Sequence, residues 1–147
     1  MRYEPDKSML PVVKTLPKFK TFDLKLGPDE TKDKMILICF CDINQQASKK
    51  CVLNLAEKSA DLVEKGVFVI LVNASATERE RINSWAKQHD ITFPFGRFYE
   101  KLIKDIREAW GIETLPRLVL ADRNHVIVAE AFALEDLEAK IQEAAEP

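Results

Sequence analysis

The hydrophobic positions of the chain fall into blocks of different length and period. Met35-Ile-Leu-Ile-Cys-Phe40 is a continuous apolar run without polar alternation, the pattern of a strand covered on both faces. Over residues 45–65 the spacing becomes helical. Val52, Leu55, Ala56 and Val63 recur on one stripe with Ala60 beside them, Asn44 is placed to cap the start, and Gly66 the end. Val67-Phe-Val-Ile-Leu-Val72 is a second continuous run. Strand, helix and strand in this order form a βαβ unit, so the two strands are expected to be parallel with a right-handed crossover.

Farther on, Thr77-Glu-Arg-Glu80 reads as a capping box opening a second helix, with Ile82, Trp85, Ala86 and His89 on one face. A third, short helix is expected over residues 99–110, with Leu102, Ile103 and Ile106 inward and Gly111 ending it. Residues 117–121 and 126–132 flank the polar turn Asp122-Arg-Asn-His125 and read as an antiparallel hairpin. Leu134, Leu137 and Ile141 have the spacing of a closing helix. No repeat and no low-complexity segment is visible.

Composition narrows this picture to one α/β domain. The 147 residues, 46% hydrophobic and 31% charged, suffice for a single core and are too few for two comfortable ones. Residues 1–17, punctuated by Pro5, Pro11 and Pro17, read as a linker or lead-in, and 18–147 as the domain. A start of this kind fits one part of a larger protein. A formal charge of −2, with no Lys/Arg run interleaved with aromatics, argues against a nucleic-acid partner. The nearest basic stretch, Lys14 to Lys25, reads as a solvated lead-in strand. No apolar run reaches the ~18 residues of a membrane span, and no signal-peptide core opens the chain.

Candidate chemistry is sparse. Cys39, Cys41 and Cys51 form no disulfide framework, and with two distant histidines they have no zinc-ligand spacing, so neither metal nor cofactor is expected. Four glycines leave no phosphate-cradling loop. His89 and His125 lack a Ser, Cys or carboxylate partner at motif spacing. Glu57, Glu64, Glu78, Glu80, Glu135, Asp136 and Glu138 read as solvated helix faces, and Trp85 and Trp110 as inward helical residues.

Two segments carry a family resemblance. Ile36-Leu-Ile-Cys-Phe-Cys-Asp-Ile-Asn-Gln-Gln-Ala-Ser48 aligns without a gap on the buried strand and active-site turn of thioredoxins and of the membrane-anchored TlpA-type reductases. Trp110-Gly-Ile-Glu-Thr-Leu-Pro-Arg-Leu-Val-Leu-Ala-Asp-Arg-Asn-His125 is similar to their stretch around the cis-proline. Between them, residues 67–73 and Thr92-Phe-Pro94 match the middle strand and the usual Phe-Pro. The resemblance covers residues 19–141. It implies a thioredoxin-like fold, a mixed sheet with helices on both faces, and a cis bond at Leu115–Pro116 facing the helix that begins near Gln45. It also implies an extracytoplasmic setting if the chain belongs to a longer protein.

The departures from that family bear on function. Its members place Cys-x-x-Cys where this chain has Gln45-Gln46-Ala47-Ser48, and many carry an acidic helper where Cys39 stands. A dithiol reductase needs a low-pKa thiolate at the helix N-terminus and a second thiol one turn later to resolve the mixed disulfide. Neither is present. Cys51 lies one turn beyond Ser48 and reads as a small core residue beside Val52 and Leu55; its functional reading is a one-cysteine peroxidase or mixed-disulfide thiol. Cys41, where the family often has Trp, could in principle bridge Cys51, and Cys39 reads as core. Peroxiredoxins, on the same fold, show Pro-x-x-x-Thr-x-x-Cys, but no Pro or Thr stands between Phe40 and Cys51.

By resemblance, a substrate lies extended across a groove and pairs with the backbone of Leu115. Gln45, Gln46 and Ala47 floor one side, and Thr114, Leu115 and Pro116 the other, while Ser48 is expected to cap or back-bond its own helix. The reading is a peptide- or protein-binding module that has lost dithiol chemistry. The alternatives are a thiol-disulfide oxidoreductase or peroxidase working through Cys51, alone or with Cys41, and a structural spacer.

Overall fold

The computed structural model describes residues 15–16 and 19–145. The expected linker over residues 1–17 thus lies almost wholly outside the described residues. A 3₁₀ turn at Phe19–Phe22 leads into a one-turn helix, α1 (Pro28–Thr31), and then strand β1 (Met35–Cys41). Next come α2 (Gln46–Glu57), α3 (Ser59–Glu64) and β2 (Val67–Asn73), followed by α4 (Arg79–Gln88) and the short β3 (Phe95–Arg97). After a 3₁₀ turn come α5 (Ile103–Trp110), β4 (Arg117–Ala121) and β5 (Ile127–Phe132); another 3₁₀ turn leads to α6 (Leu137–Ala145).

The five strands make one mixed sheet in the order β3-β2-β1-β4-β5. β1 pairs in parallel with β2, Met35 opposite Val67 and Cys41 opposite Asn73. It pairs antiparallel with β4, and β4 with β5. β1 is fully buried along its length. Successive side chains of a strand point to opposite faces, and here each face owns a core. Met35, Leu37, Cys39 and Cys41 join Val52, Leu55, Leu62, Ile82, Leu137 and Ile141 on one side. Ile36, Ile38 and Phe40 join Phe22, Phe98 and Ile112 on the other, where Phe40 and Phe22 lie 5.4 and 6.4 Å from Trp110. The expected helices therefore cover both faces, and the βαβ unit and the hairpin are present.

Several local expectations are corrected. The helix over 45–65 is two helices that meet at Lys58. The interruption changes the phase of the stripe: Leu62 is buried, whereas Val63 is 72% exposed. Leu102, expected inward, is exposed and belongs to the 3₁₀ turn that precedes α5. The lead-in through Lys25 is not a solvated strand; Phe22 within it is fully buried and stacks at 5.9 Å on Phe98. Its neighbour Asp23 accepts hydrogen bonds from Arg79 (2.9 Å), Arg97 (3.1 Å) and the Tyr99 hydroxyl (3.3 Å). Gly111 and Gly66 do end their helices, at φ 64° and 78°, conformations that favour a residue without Cβ.

Candidate functional site

β1 ends at Cys41, and the chain turns through residues 42–45 before α2 begins. Asp42 shapes this turn: its Oδ1 accepts the Asn44 amide at 2.9 Å, and its carbonyl accepts the Gln45 amide at 2.9 Å. Short Asp side chains favour turns because they bond the backbone two residues on. Asn73, fully buried at the end of β2, braces the turn from beside it. Its Oδ1 accepts the Ile43 amide at 2.9 Å, and its Nδ2 donates to the Ser75 hydroxyl (2.9 Å) and carbonyl (3.3 Å). Ser75 Oγ donates to Asp42 (3.0 Å) and lies 2.9 Å from Thr77 Oγ1.

This network overrides two sequence expectations. Asn44 is not the cap of α2; Gln45 takes that position without a side-chain cap bond. Asn44 instead donates to Thr77 Oγ1 (3.2 Å) and accepts from Arg81 Nε (3.0 Å) and Nη2 (2.6 Å). Thr77, engaged there, makes no capping box, and Glu78 precedes α4 with no cap bond. Sequence reasoning did not single out Asn73, Ser75, Thr77 and Arg81 as neighbours of the turn, nor the bonds by which Asp42 shapes it. The only local signal was a polar Asn73 ending an otherwise apolar run.

The predicted site residues divide into those that meet and those that do not. Ala47 and Pro116 line the same cavity of about 300 Å³, together with Lys50, Cys51, Leu118, Phe132, Leu134 and Glu135. The Leu115–Pro116 peptide bond is cis. Gln45, Gln46 and Thr114 are exposed beside that opening in sequence, but they do not line it, and Leu115 packs against the aromatic core. Ser48 is corrected: it neither caps nor back-bonds its helix. It is fully buried, and its hydroxyl has no hydrogen-bond partner among the described residues.

All three cysteines are free and buried on one face of the sheet. The Cys39 thiol beside Cys51, followed by burial and the Glu135 charge, pushes the Cys51 thiol far above the ordinary range. Cys39 is likewise held protonated, chiefly by Cys41 beside it and by burial, against an opposing contribution from Cys51. Such thiols are poor nucleophiles, because the thiolate is the reactive form. The histidines have structural surroundings: the His89 ring lies tilted against Trp85 with centroids 4.7 Å apart, and His125 Nε2 lies 3.0 Å from the Thr31 carbonyl oxygen. Among the described residues no cluster of His, Cys, Asp or Glu could hold a metal, and no helix is long and apolar enough to cross a membrane.

A family model described as thioredoxin-like matches residues 33–127, from just before β1 to the first residue of β5. The chain belongs to the thioredoxin-like family. Solved structures agree on the fold of this thioredoxin-like domain. The thioredoxin domain of a thiol-disulfide oxidoreductase from Bacteroides vulgatus superposes with a TM-score of 0.68 at 19% identity, over 80% of this chain and 84% of that one. A thiol-disulfide isomerase from Corynebacterium glutamicum gives 0.69 at 14% identity, over 97% and 99%. A thiol:disulfide interchange protein from a Bacteroides species gives 0.65 at 19%, over 78% and 75%. No curated protein matches the chain. The domain is thus a thioredoxin-like redoxin resembling thiol-disulfide oxidoreductases in fold.

Proposed function

We propose that this thioredoxin-like domain has lost dithiol oxidoreductase activity and binds an extended peptide or a partner protein at the groove between the start of α2 and Leu115–Pro116. The observation that carries the reading is the start of α2, where Gln45 in the cap position and Gln46, Ala47 and Ser48 in the first turn include no thiol. Backbone amides at a helix N-terminus stabilise a thiolate there, and this chain offers that position only amide, methyl and hydroxyl groups. The remaining thiols support the same reading, because Cys51 and Cys39 are buried and held protonated. Strand addition through the Leu115 backbone requires no cysteine. The cavity beside Pro116, whose lining includes Leu118, Phe132 and Leu134 as well as Lys50, Asn54 and Glu135, would receive one side chain of such a strand.

The test has two arms. A library of extended peptides is titrated while backbone amide shifts are followed, with Ala47→Arg as the blocking variant. Shifts centred on residues 45–47 and 114–116 and on the cavity residues Cys51, Leu118, Phe132 and Leu134, and binding weakened at least tenfold by Ala47→Arg, are expected; unchanged affinity would defeat the groove. In the second arm the unmodified domain should fail to reduce insulin disulfides with dithiothreitol, and the double variant Gln45→Cys, Ser48→Cys should gain activity. Turnover by the unmodified chain at the rate of a true dithiol reductase would overturn the loss of catalysis.

A further inference from the structure

A cavity of about 480 Å³ opens between α3 and the residues that lead into β3, and Val67, Phe68 and Val69 at the start of β2 form its third wall. β3 pairs with β2 only over the second half of that strand, from Leu71 opposite Phe95 to Asn73 opposite Arg97. Leu71 donates its amide to the Pro94 carbonyl at 2.9 Å. Alternate residues of a strand turn their backbone groups to the same neighbour, so Val67 and Val69 also direct N–H and C=O away from β1, toward the cavity. Carried back by two residues, the β2–β3 register would have the Pro94 amide donate to the Val69 carbonyl. Proline has no N–H, and the ladder stops there. Among the described residues neither Val67 nor Val69 finds another backbone partner on that side.

The rest of the lining is uncharged. α3 contributes Ser59, Ala60 and Val63, and the far side is Thr92, Phe93 and Pro94. Val63, turned out of the core by the break at Lys58, is the most exposed of the large apolar residues and stands on this rim. The adjoining cavity between α3 and α6 is different, with Lys58, Lys65, Asp61 and Glu138 in its wall. In a chain whose residues are 31% charged, an opening without one charged side chain is selective for what enters it. The other half of the same sheet edge is closed, because the lead-in at Phe22 and Leu24 packs directly against Gly96 of β3.

We propose that the start of β2 is a second docking site, which takes an extended, uncharged segment of a partner protein as an added strand. Val67 and Val69 offer a donor and an acceptor each, the complement of an extended backbone, and such strand addition draws its affinity from main-chain bonds. At ~3.3 Å per residue the open edge from Val67 to Val69 accommodates about three residues of that segment. Its side chains meet Val63, Ala60 and Phe93. A charged side chain would lose hydration there and find no partner in the lining, so small apolar and hydroxyl residues fit. The site lies at the opposite end of β2 from Asn73, which braces the turn before α2. It owes nothing to the groove beside Pro116, and its failure would leave that reading intact.

The experiment follows amide exchange and backbone chemical shifts of the full chain by NMR. In the free protein the Val67 and Val69 amides should exchange at least tenfold faster than the Leu71 amide, which Pro94 holds. The probe is an acetylated, amidated hexapeptide that alternates valine and threonine, added to millimolar concentration. It should shift the Val67 and Val69 amides and slow their exchange at least fivefold. The same peptide N-methylated at alternate residues, which cannot complete the main-chain bonds, should do neither, and a version with glutamate in place of threonine should bind at least fivefold more weakly. Val63→Glu, a change on an exposed helix position, should weaken the valine–threonine peptide at least fivefold. Val67 and Val69 amides as protected as Leu71 in the free protein, equal binding of the N-methylated peptide, or shifts only at residues 45–47 and 114–116 would each overturn the proposal. So would protection of Val67 and Val69 that rises with protein concentration alone, since a second copy of the chain would then fill the gap.

Discussion

Replacing Asn73 by alanine tests whether the turn before α2 is held by the side-chain network or by its own backbone. The change removes the acceptor of the Ile43 amide, a 2.9 Å bond inside the protein, and the two donations to Ser75. Ser75 Oγ keeps Asp42 and Thr77, so its loss is small. The Ile43 N–H, by contrast, is left buried beside a methyl group. An orphaned buried donor costs about 1–3 kcal/mol and a lost net hydrogen bond about 0.5–1.5 kcal/mol, so Asn73→Ala should destabilise the domain by about 2–4 kcal/mol. That is a large share of the ~5–15 kcal/mol typical of a domain. Asn73→Asp should cost more at neutral pH, because it keeps the acceptor for Ile43 but sets a buried carboxylate against the Ser75 carbonyl. Its deficit should shrink as acid neutralises the new group. Urea unfolding with an unchanged slope measures all three proteins. An Asn73→Ala penalty under about 0.5 kcal/mol would refute the bracing role and leave the turn to Asp42 alone.

Three further outcomes are expected. Ser48→Ala should leave stability unchanged or raise it by up to about 1 kcal/mol, since it removes a buried hydroxyl without a partner among the described residues; calorimetry showing a loss above about 1 kcal/mol would mean that the hydroxyl has a role. Gly96→Ala should destabilise by more than the ~1–3 kcal/mol usual for overpacking, because its Cβ would fall 2.3 Å from the Phe22 carbonyl oxygen and push the lead-in off β3; an unaltered urea midpoint would contradict this packing. Asp23 has a folded pKa held below its ordinary value, first by the Arg79 hydrogen bond and then by Arg97 and Tyr99, against partial burial. Its contribution is therefore present above about pH 4, the unfolded value, and lost as pH falls through the lower folded value. Asp23→Asn should flatten that part of the acid limb in pH-dependent urea unfolding.

What the sequence made legible is what neighbours along the chain decide. Met35–Cys41 and Val67–Asn73 are apolar throughout because both of their faces are covered, and the hairpin announces itself through Asp122-Arg-Asn-His125. What stayed hidden depends on partners distant in sequence. Nothing around Lys58 signals a break between α2 and α3, since neither Gly nor Pro stands there. Thr77 satisfies the pattern of a capping box, yet Asn44, thirty-three residues earlier, takes its hydroxyl. Phe22 sits among lysines and looks solvated until Phe40 and Phe98 arrive from elsewhere. At the groove, Ala47 and Pro116 were legible through resemblance, whereas Asn73 behind the turn was not. The alternation of Cys39 and Cys41 could have placed both on one face, but the presence of Cys51 in the same core needed the helix in place.

The two-core arrangement of β1 has a consequence for how the chain can change. The strand stores its assignment as parity: odd positions hold Met, Leu and two Cys, and even positions hold two Ile and a Phe. Losing a single residue between Met35 and Cys41 would exchange the two sets wholesale, sending Phe40 among the thiols and a cysteine among the aromatic rings. Single substitutions here are repairable by local repacking, but a frame error of one is not. Length variation should therefore be accepted only past Cys41, where the chain leaves the sheet and the turn begins.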